Sequence, residues 1–335
     1  MRPRAKIAVI LAAHGEAETT RFMENYRVTR QTLAHASQVM PIAGALQRAI
    51  AVSSSLKKLF RARSDAQCSP QNRITRDQAV ALQHHLDASS FAERFEFDVY
   101  AAFSASFPSV EHIIEETRHG DGQVIVSMAP VDTSLSCGLI CSYLAHSRKP
   151  EELGKVKVLS RFWTDERLYS IYCDHLLAER FCRVALNDEK RILMLLFHGT
   201  LVTDARGNAP HFLTGLDATR CFARRLQHLI EGDSRNPYGR IMTAYLNHNV
   251  GGEWTKPSFE ESCTMLRNER TPSVDLFACG YFADGNETIH RAAELRALSS
   301  VREAALIPCV NSTPAFTGYL TSKVIAAAQQ IISVR

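Results

Sequence analysis

The chain of 335 residues is 45% hydrophobic and carries 39 basic against 35 acidic side chains, a formal net charge of +4. Such a length and apolar content can bury sizeable cores in two domains. The charge is too mild and too evenly spread for a nucleic-acid binder, which leaves an anionic small molecule or an acidic lipid surface as the better-matched partner. The nine cysteines are scattered, odd in number and often set in apolar runs, the usage of a reducing compartment. Cys137 and Cys141 form the closest pair. No further thiols at close spacing complete the four ligands of an iron–sulfur cluster, so no such cluster is expected. No signal peptide precedes Lys6, and no apolar run nears the ~20 residues that span a bilayer. The expected location is the cytoplasm, with peripheral membrane association left open.

The first predicted element is a strand, Ile7 to Leu11, ending at Ala12, Ala13, His14, Gly15 and Glu16. A helical region with Arg21, Tyr26, Arg27 and Arg30 follows. From about 39 to 69 the pattern is mixed. Ile42, Leu46, Ile50 and Val52 lead into Ser53, Ser54 and Ser55, and then into a basic amphipathic piece, Leu56 to Arg61. Within it, Val39 to Phe60 reads as an apolar lid, a membrane-touching patch or a core segment. Thr75 with Gln78 three residues on reads as a capping box that opens a helix. Phe95 to Tyr100 alternates as a strand does, and Pro108 to Ile114 opens a helix with proline near its start. Gln123 to Pro130 is a strand that runs into a loop rich in serine and threonine, Val131 to Gly138.

The second half repeats the scheme. Strands are predicted at Lys190 to Phe197, Arg240 to Tyr245, Val274 to Cys279 and Ala304 to Pro308. Helices are predicted at Thr219 to Ile230, Ser258 to Leu266, Glu287 to Leu298 and Phe316 to Ser333. Alternating strands and helices with short loops define an α/β protein with parallel sheets flanked by helices. The stretches Lys6 to Gly15 and Lys190 to Gly199 look alike, each an apolar strand ending in His-Gly, so the halves read as a duplicated unit. Two Rossmann-like domains are expected, 1–165 including the segment 39–69, and 166–335, with the last helix able to pack back on the first. The active site would then be the cleft between them.

Two apolar runs stop abruptly at small and polar residues: Ile192 to Phe197 before His198, Gly199 and Thr200, and Cys279 to Ala283 before Asp284, Gly285, Asn286, Glu287 and Thr288. Ligands bind at the carboxyl ends of strands in open α/β sheets. A histidine and a glutamate are thereby placed at a site rim, and both residue types bind metals and move protons. Asp284, three residues before Glu287, suits a helix cap and leaves Glu287 for chemistry.

The chain resembles the ferrochelatase family in seven segments that run in the family's order. Cys68 to Gln78 is similar to Gly-Ser-Pro-Leu-x-x-Ile-Thr-x-x-Gln, and Phe107 to Glu111 to Asn-Pro-Ser-Ile-Glu. Met128 to Ser134 stands where the family has Leu-Pro-Leu-Tyr-Pro-Gln-Tyr-Ser, without the central tyrosine-proline. Phe197, His198 and Gly199 resemble Ser-Ala-His-Gly-Leu-Pro, and Ala244 to Pro257 resembles Ala-Tyr-Gln-Ser-Arg-x-Gly-x-x-x-Trp-Leu-x-Pro. Gly280 to Thr288 is similar to Gly-Phe-x-x-Asp-His-x-Glu-Thr, and Pro308 to Phe316 to Pro-x-Leu-Asn-Asp-Ser-Pro-x-Phe.

The resemblance implies a chelatase-type fold and a lyase that inserts Fe²⁺, as substrate metal, into a dicarboxylate or coproporphyrin-type porphyrin to make haem, with no organic cofactor. It implies His198 and Glu287 as metal-binding and catalytic residues, facing the ring from the side opposite a lid residue that maps onto His14. Glu16 could orient the His14 ring, and that ring could ligate haem iron. Substrate contacts are expected from His14, Arg27, Arg30, Ser53, Ser54, Thr133, Ser134, Tyr281 and Asp284. Tyr245 and Trp254 are expected to be packing residues. Porphyrin and haem are the expected partners, with peripheral membrane contact through the lip at 39–69, and the chain a monomer or homodimer. Two departures matter. The family's further acidic positions on the helix after the glutamate read Arg291 and Leu295, and the Gln-Ser-Arg after Tyr245 reads Leu246, Asn247 and His248. Arg291 would repel a cation beside Glu287. These departures keep open two alternatives: a haem- or porphyrin-binding paralogue without turnover, and a cobalt or nickel chelatase acting on another tetrapyrrole.

Overall fold

Ala5–Ala13 (β1) is apolar with little alternation, the pattern of a strand buried on both faces, and its last seven residues are buried. A computed structural model of the chain describes residues 4–40, 42–61, 68–183, 191–248, 251–269, 273–298, 301 and 303–333. After β1 come α1 (Phe22–Ala36), α2 (Gly44–Arg61), α3 (Gln71–Asp87), β2 (Phe95–Phe103), α4 (Val110–Glu116), β3 (Gly122–Ser127), α5 (Cys137–Ser147), α6 (Pro150–Leu153) and β4 (Val156–Leu159). The four strands make one parallel sheet in the order β2-β1-β3-β4, with Ile7 opposite Phe97 on one side and Gly122 on the other.

Next come α7 (Glu166–Arg183), β5 (Ile192–His198), β6 (Leu201–Asp204), α8 (Leu216–Gly232), β7 (Arg240–Leu246), β8 (Gly252–Trp254), α9 (Phe259–Glu269), β9 (Ser273–Phe277), α10 (Asn286–Arg296), β10 (Glu303–Ile307) and α11 (Pro314–Ser333). A second parallel sheet has the order β10-β9-β5-β7, and β6 pairs with β8 in a small antiparallel ribbon. Counted within its own sheet, each set of parallel strands has the spatial order 2-1-3-4. The likeness between Lys6 to Gly15 and Lys190 to Gly199 therefore has a structural counterpart: β1 and β5 are each the first strand of their own sheet.

The chain divides into two compact units, residues 1–129, 133–160 and 312–335, and residues 130–132 and 161–311. The main division thus falls at 160/161, and α11 belongs to the first unit, where it packs on α3, β3 and β4. The first core gathers Ile10, Ile113, Ile114, Ile125 and Leu144, and the second Met194, Leu196, Phe259, Leu266, Leu276 and Leu295.

At the start of the second sheet a buried arginine replaces apolar packing. Arg191, fully buried, donates to Asp275 Oδ1 at 2.6 Å and to Glu303 Oε2 at 2.9 Å, and the Tyr238 hydroxyl donates to Asp275 Oδ2 at 3.0 Å. Opposite charge and directed hydrogen bonds together offset the desolvation of the pair.

Two sequence expectations are corrected. The helix that Thr75 was to cap starts a turn earlier, at Gln71, and the Thr75 hydroxyl donates to the Gln71 carbonyl at 2.9 Å. Pro70 precedes the first turn, where its missing N–H costs nothing, and so sets the boundary. The core reading of Val39 to Phe60 also fails for its described residues, while residues 62–67 of the segment 39–69 lie outside the described ones. Only Ala51 and Ser55 are buried among the described side chains of α2, whereas Leu46, Ile50, Val52, Leu56, Leu59 and Phe60 are exposed. No helix among the described residues is long and apolar enough to cross a membrane.

Candidate metal centre

In the second sheet the chain leaves β5 for β7 on one side and later returns to β9 on the other, which makes the carboxyl end of β5 a topological switch point. Each of these three adjacent strands delivers one donor. His198 is the last residue of β5, exposed after six buried residues. Leu246 at the end of β7 pairs in register with His198, and His248 follows two residues later. Glu287 lies in the first turn of α10, after the loop that leaves β9. The ligand atoms of His198, His248 and Glu287 all lie within 4.8 Å of one another.

The two imidazoles are the tightest part of this group, with 3.2 Å between their Nε2 atoms. His198 Nδ1 lies 2.7 Å from the Gly199 carbonyl oxygen. A carbonyl only accepts, so in the neutral ring Nδ1 carries the proton and donates it. His198 Nε2 is then the unprotonated nitrogen, the one able to accept a proton or a metal ion.

Local packing fixes these positions. Gly199 N donates to the Leu246 carbonyl at 2.7 Å. A Cβ at residue 199 would fall 2.0 Å from Asn247 Oδ1 and 2.5 Å from the Leu246 oxygen. Only glycine admits this approach. Asn247 Nδ2 donates to the Thr255 carbonyl at 2.7 Å, Thr255 N to the Thr200 carbonyl at 3.0 Å and Thr200 N to Thr255 Oγ1 at 3.2 Å. The β6–β8 ribbon continues this clamp and sets the Trp254 ring edge-on to His248, 5.5 Å between centroids.

On the Glu287 side, a Cβ at Gly280 would meet Phe197 Cα at 2.9 Å, so the turn after β9 lies directly on the end of β5. The Tyr281 hydroxyl donates to Glu287 Oε2 at 2.7 Å. Gly285, not Asp284, is the cap residue of α10, and its N donates to Thr288 Oγ1 at 3.0 Å. Asp284 is buried and accepts from Cys309 N at 3.2 Å and Asn311 Nδ2 at 2.8 Å. It ties the Glu287 turn to the loop at 309–311, in place of the cap expected of it.

The surroundings of His248 favour its neutral form. Burial against its neighbours, then the adjacent His198 ring, holds His248 below the ordinary histidine value. Arg291 adds to this and Glu287 opposes it. His248 is nonetheless open to solvent on one side. The cation expected beside Glu287 is largely satisfied by other groups. Arg291 pairs with Glu294 at 2.7 Å and Glu260 at 3.2 Å, and its guanidinium lies 5.2 Å from the centre of the Phe259 ring. Leu295 is fully buried in the second core.

Of the expected site residues, His198, Glu287 and Tyr281 come together and Asp284 supports them. His248 was visible in the sequence only as a departure from Gln-Ser-Arg; its place just past a strand paired in register with β5 was the available signal. His14, Arg27, Arg30, Ser53, Ser54, Thr133 and Ser134 all belong to the first unit. His14 is exposed at the end of β1, with Nε2 3.4 Å from Thr32 Oγ1 on α1. Gly15 after it has φ +84°, and Asn72 binds the backbone N–H and carbonyl of Glu16 at 2.9 and 2.8 Å. Arg27 and Arg30 are exposed on α1, the latter 5.8 Å from the centre of the Tyr26 ring. Ser53 is exposed and Ser54 half-buried on α2, and Thr133 Oγ1 donates to Ser136 Oγ at 3.1 Å at the start of α5. Tyr245 is buried and Trp254 half-buried.

Two parallel α/β units, one of which gathers two imidazoles and a carboxylate at a switch point, present a donor set of the kind that suits a transition-metal ion. A family model for ferrochelatases matches residues 6–328, and the chain belongs to the ferrochelatase family. A ferrochelatase from Marinobacter nauticus is 25% identical over 234 residues, 66% of this chain. The chain spans 59% of the length of that curated relative. SirB from Bacillus subtilis, solved with Fe³⁺, shares the fold with a TM-score of 0.50 at 11% identity, over 96% of each chain. A multi-domain protein from Deinococcus radiodurans, described as structurally similar to chelatases, has a TM-score of 0.46 at 12% identity. That match covers 95% of this chain and 54% of the other.

Proposed function

We propose that the protein is a ferrochelatase, which inserts Fe²⁺ into a dicarboxylate or coproporphyrin-type porphyrin to form haem. The convergence of His198 with Glu287 carries this reading. Metallation exchanges two pyrrole protons for one divalent ion, so the site needs bases as well as ligands. His198 Nε2, left bare by the Nδ1–carbonyl bond, is suited to take a pyrrole proton. Glu287, oriented by the Tyr281 hydroxyl, offers a carboxylate at the same face. In this reading His14 faces the ring, and Arg27, Arg30, Ser53, Ser54, Thr133 and Ser134 recognise propionates. The exposed apolar residues of α2 form a lip that receives a greasy substrate or rests on a membrane surface.

The test is anaerobic incubation of the purified protein with Fe²⁺ and protoporphyrin or coproporphyrin. Metalloporphyrin formation is expected, and its loss in His198→Ala. A rate no higher than background with both porphyrins would overturn the reading. A second reading, haem binding without turnover, is favoured by one observation: α10 offers no acidic relay at Leu295, a core residue, or at Arg291. It predicts a low-spin haem spectrum that His14→Ala removes. Co²⁺ and Ni²⁺ in the same assay test the cobalt and nickel alternative.

A further inference from the structure

The donor group contains one residue more than the histidine and glutamate used above. We propose that His248 is a third protein ligand, so that one divalent transition-metal ion is held by His198, His248 and Glu287 before any tetrapyrrole arrives. This inference rests on the assignment of His198 and Glu287 as the metal-binding face.

Three observations carry it. The first is spacing. An ion about 2.0–2.1 Å from two imidazole nitrogens holds them about 2.9 Å apart at a right angle and about 3.3 Å apart at the tetrahedral angle. The Nε2 atoms of His198 and His248 are 3.2 Å apart, so the pair needs almost no movement to share an ion. The second is support. Gly199, Asn247 and Thr255 lock the end of β7 against the end of β5, and Trp254 flanks the His248 ring. His248 is thereby held on a rigid frame. The third is chemistry. Two imidazoles and one carboxylate suit Fe²⁺, Co²⁺, Ni²⁺ and Zn²⁺ far better than Mg²⁺ or Ca²⁺, which take oxygen ligands.

The consequence is an order of events. Three protein ligands can retain an ion in the absence of porphyrin and leave its other positions open to incoming nitrogens. The family segment places an arginine where His248 stands, so a cation site would be gained here by one substitution. Arg291, held by Glu260 and Glu294, stands one turn along α10 from Glu287, and its charge would temper the affinity for an ion that must be given up.

The experiment is calorimetric titration of the full chain, free of tetrapyrrole, with Zn²⁺ and separately with Co²⁺, whose visible absorption reports its ligands. One ion per chain is expected. His248→Asn should weaken Zn²⁺ by at least about tenfold, a loss seen even for outer-shell partners of metal ligands, and should reduce the Co²⁺ absorption. His248→Gln gives a second test should the first variant unfold, with circular dichroism as the check. Wild-type affinity in both His248 variants, with binding lost in His198→Asn, would overturn the three-ligand site and leave the chelatase reading intact. Binding undiminished in His198→Asn would overturn both, whereas no binding by the wild type would overturn the three-ligand site alone, because turnover with Fe²⁺ and porphyrin tests the chelatase reading separately.

Discussion

Gly199 and Asn247 meet where β5 and β7 end: a Cβ on residue 199 would stand 2.0 Å from Asn247 Oδ1. That approach brings the two residues that flank this contact, His198 and His248, side by side. Gly199→Ala is expected to push the strand ends apart. The cost should be about 1–3 kcal/mol of stability, typical of overpacking, with metal affinity reduced beyond what the stability loss explains. Calorimetric titration beside thermal unfolding separates the two effects, and unchanged Zn²⁺ affinity would refute the expectation.

Arg291 stands between Glu260 and Glu294, and its charge is the smallest of the influences that hold His248 below the ordinary histidine value. Arg291→Gln should tighten Zn²⁺ binding two- to tenfold, since about 1 kcal/mol is a reasonable size for a screened charge at this range. The gain should shrink as salt is raised. Equal affinity at low salt would show that the two glutamates already neutralise the guanidinium.

The Arg191–Asp275 pair is buried and its two members are not separable in energy. Arg191→Met leaves a carboxylate in the core and should destabilise the fold by about 3–5 kcal/mol. Arg191→Met combined with Asp275→Leu should recover part of that loss, less the bond from the Tyr238 hydroxyl. Urea unfolding of wild type, single and double variants reads the coupling directly. A double variant no more stable than the single one would contradict it.

Glu18 hydrogen-bonds Arg76 on α3 and accepts from Asn72 at 3.0 Å, which ties the loop after His14 to that helix. The Arg76 hydrogen bond holds its carboxyl below the ordinary glutamate value. A carboxyl depressed in the folded state adds stability above its unfolded pKa, and the contribution disappears as pH falls through the folded value. Both side chains are partly exposed, so the effect should be small. Melting temperature measured against pH should show a shallower acid limb in Glu18→Gln than in wild type. Parallel acid limbs would rule the pair out as a source of acid sensitivity.

Much of the fold was legible because burial leaves a period in the sequence. Ile192 to Phe197 has no polar residue, so its strand and the polar break at His198 could both be read from it. Glu287 was found the same way, from the break after an apolar run. Hydropathy did not reveal cap geometry, so Asp284 looked like a helix cap although it binds the loop at 309–311. The serine-containing segment on α2 was ambiguous for a related reason, since an exposed apolar helix face and a buried one share a periodicity.

The sequence by itself determined the α/β class, the duplicated strand scheme and the candidate pair His198 and Glu287, because strand burial and polar strand ends are local signals. Tertiary structure decided what stands beside that pair. His248 joins it only because β7 is registered against β5 and Gly199 lets the chains close. Arg291 is drawn to Glu260, which lies on another helix. Such relations depend on strand order and on atoms meeting across sequence gaps, and no local pattern records them.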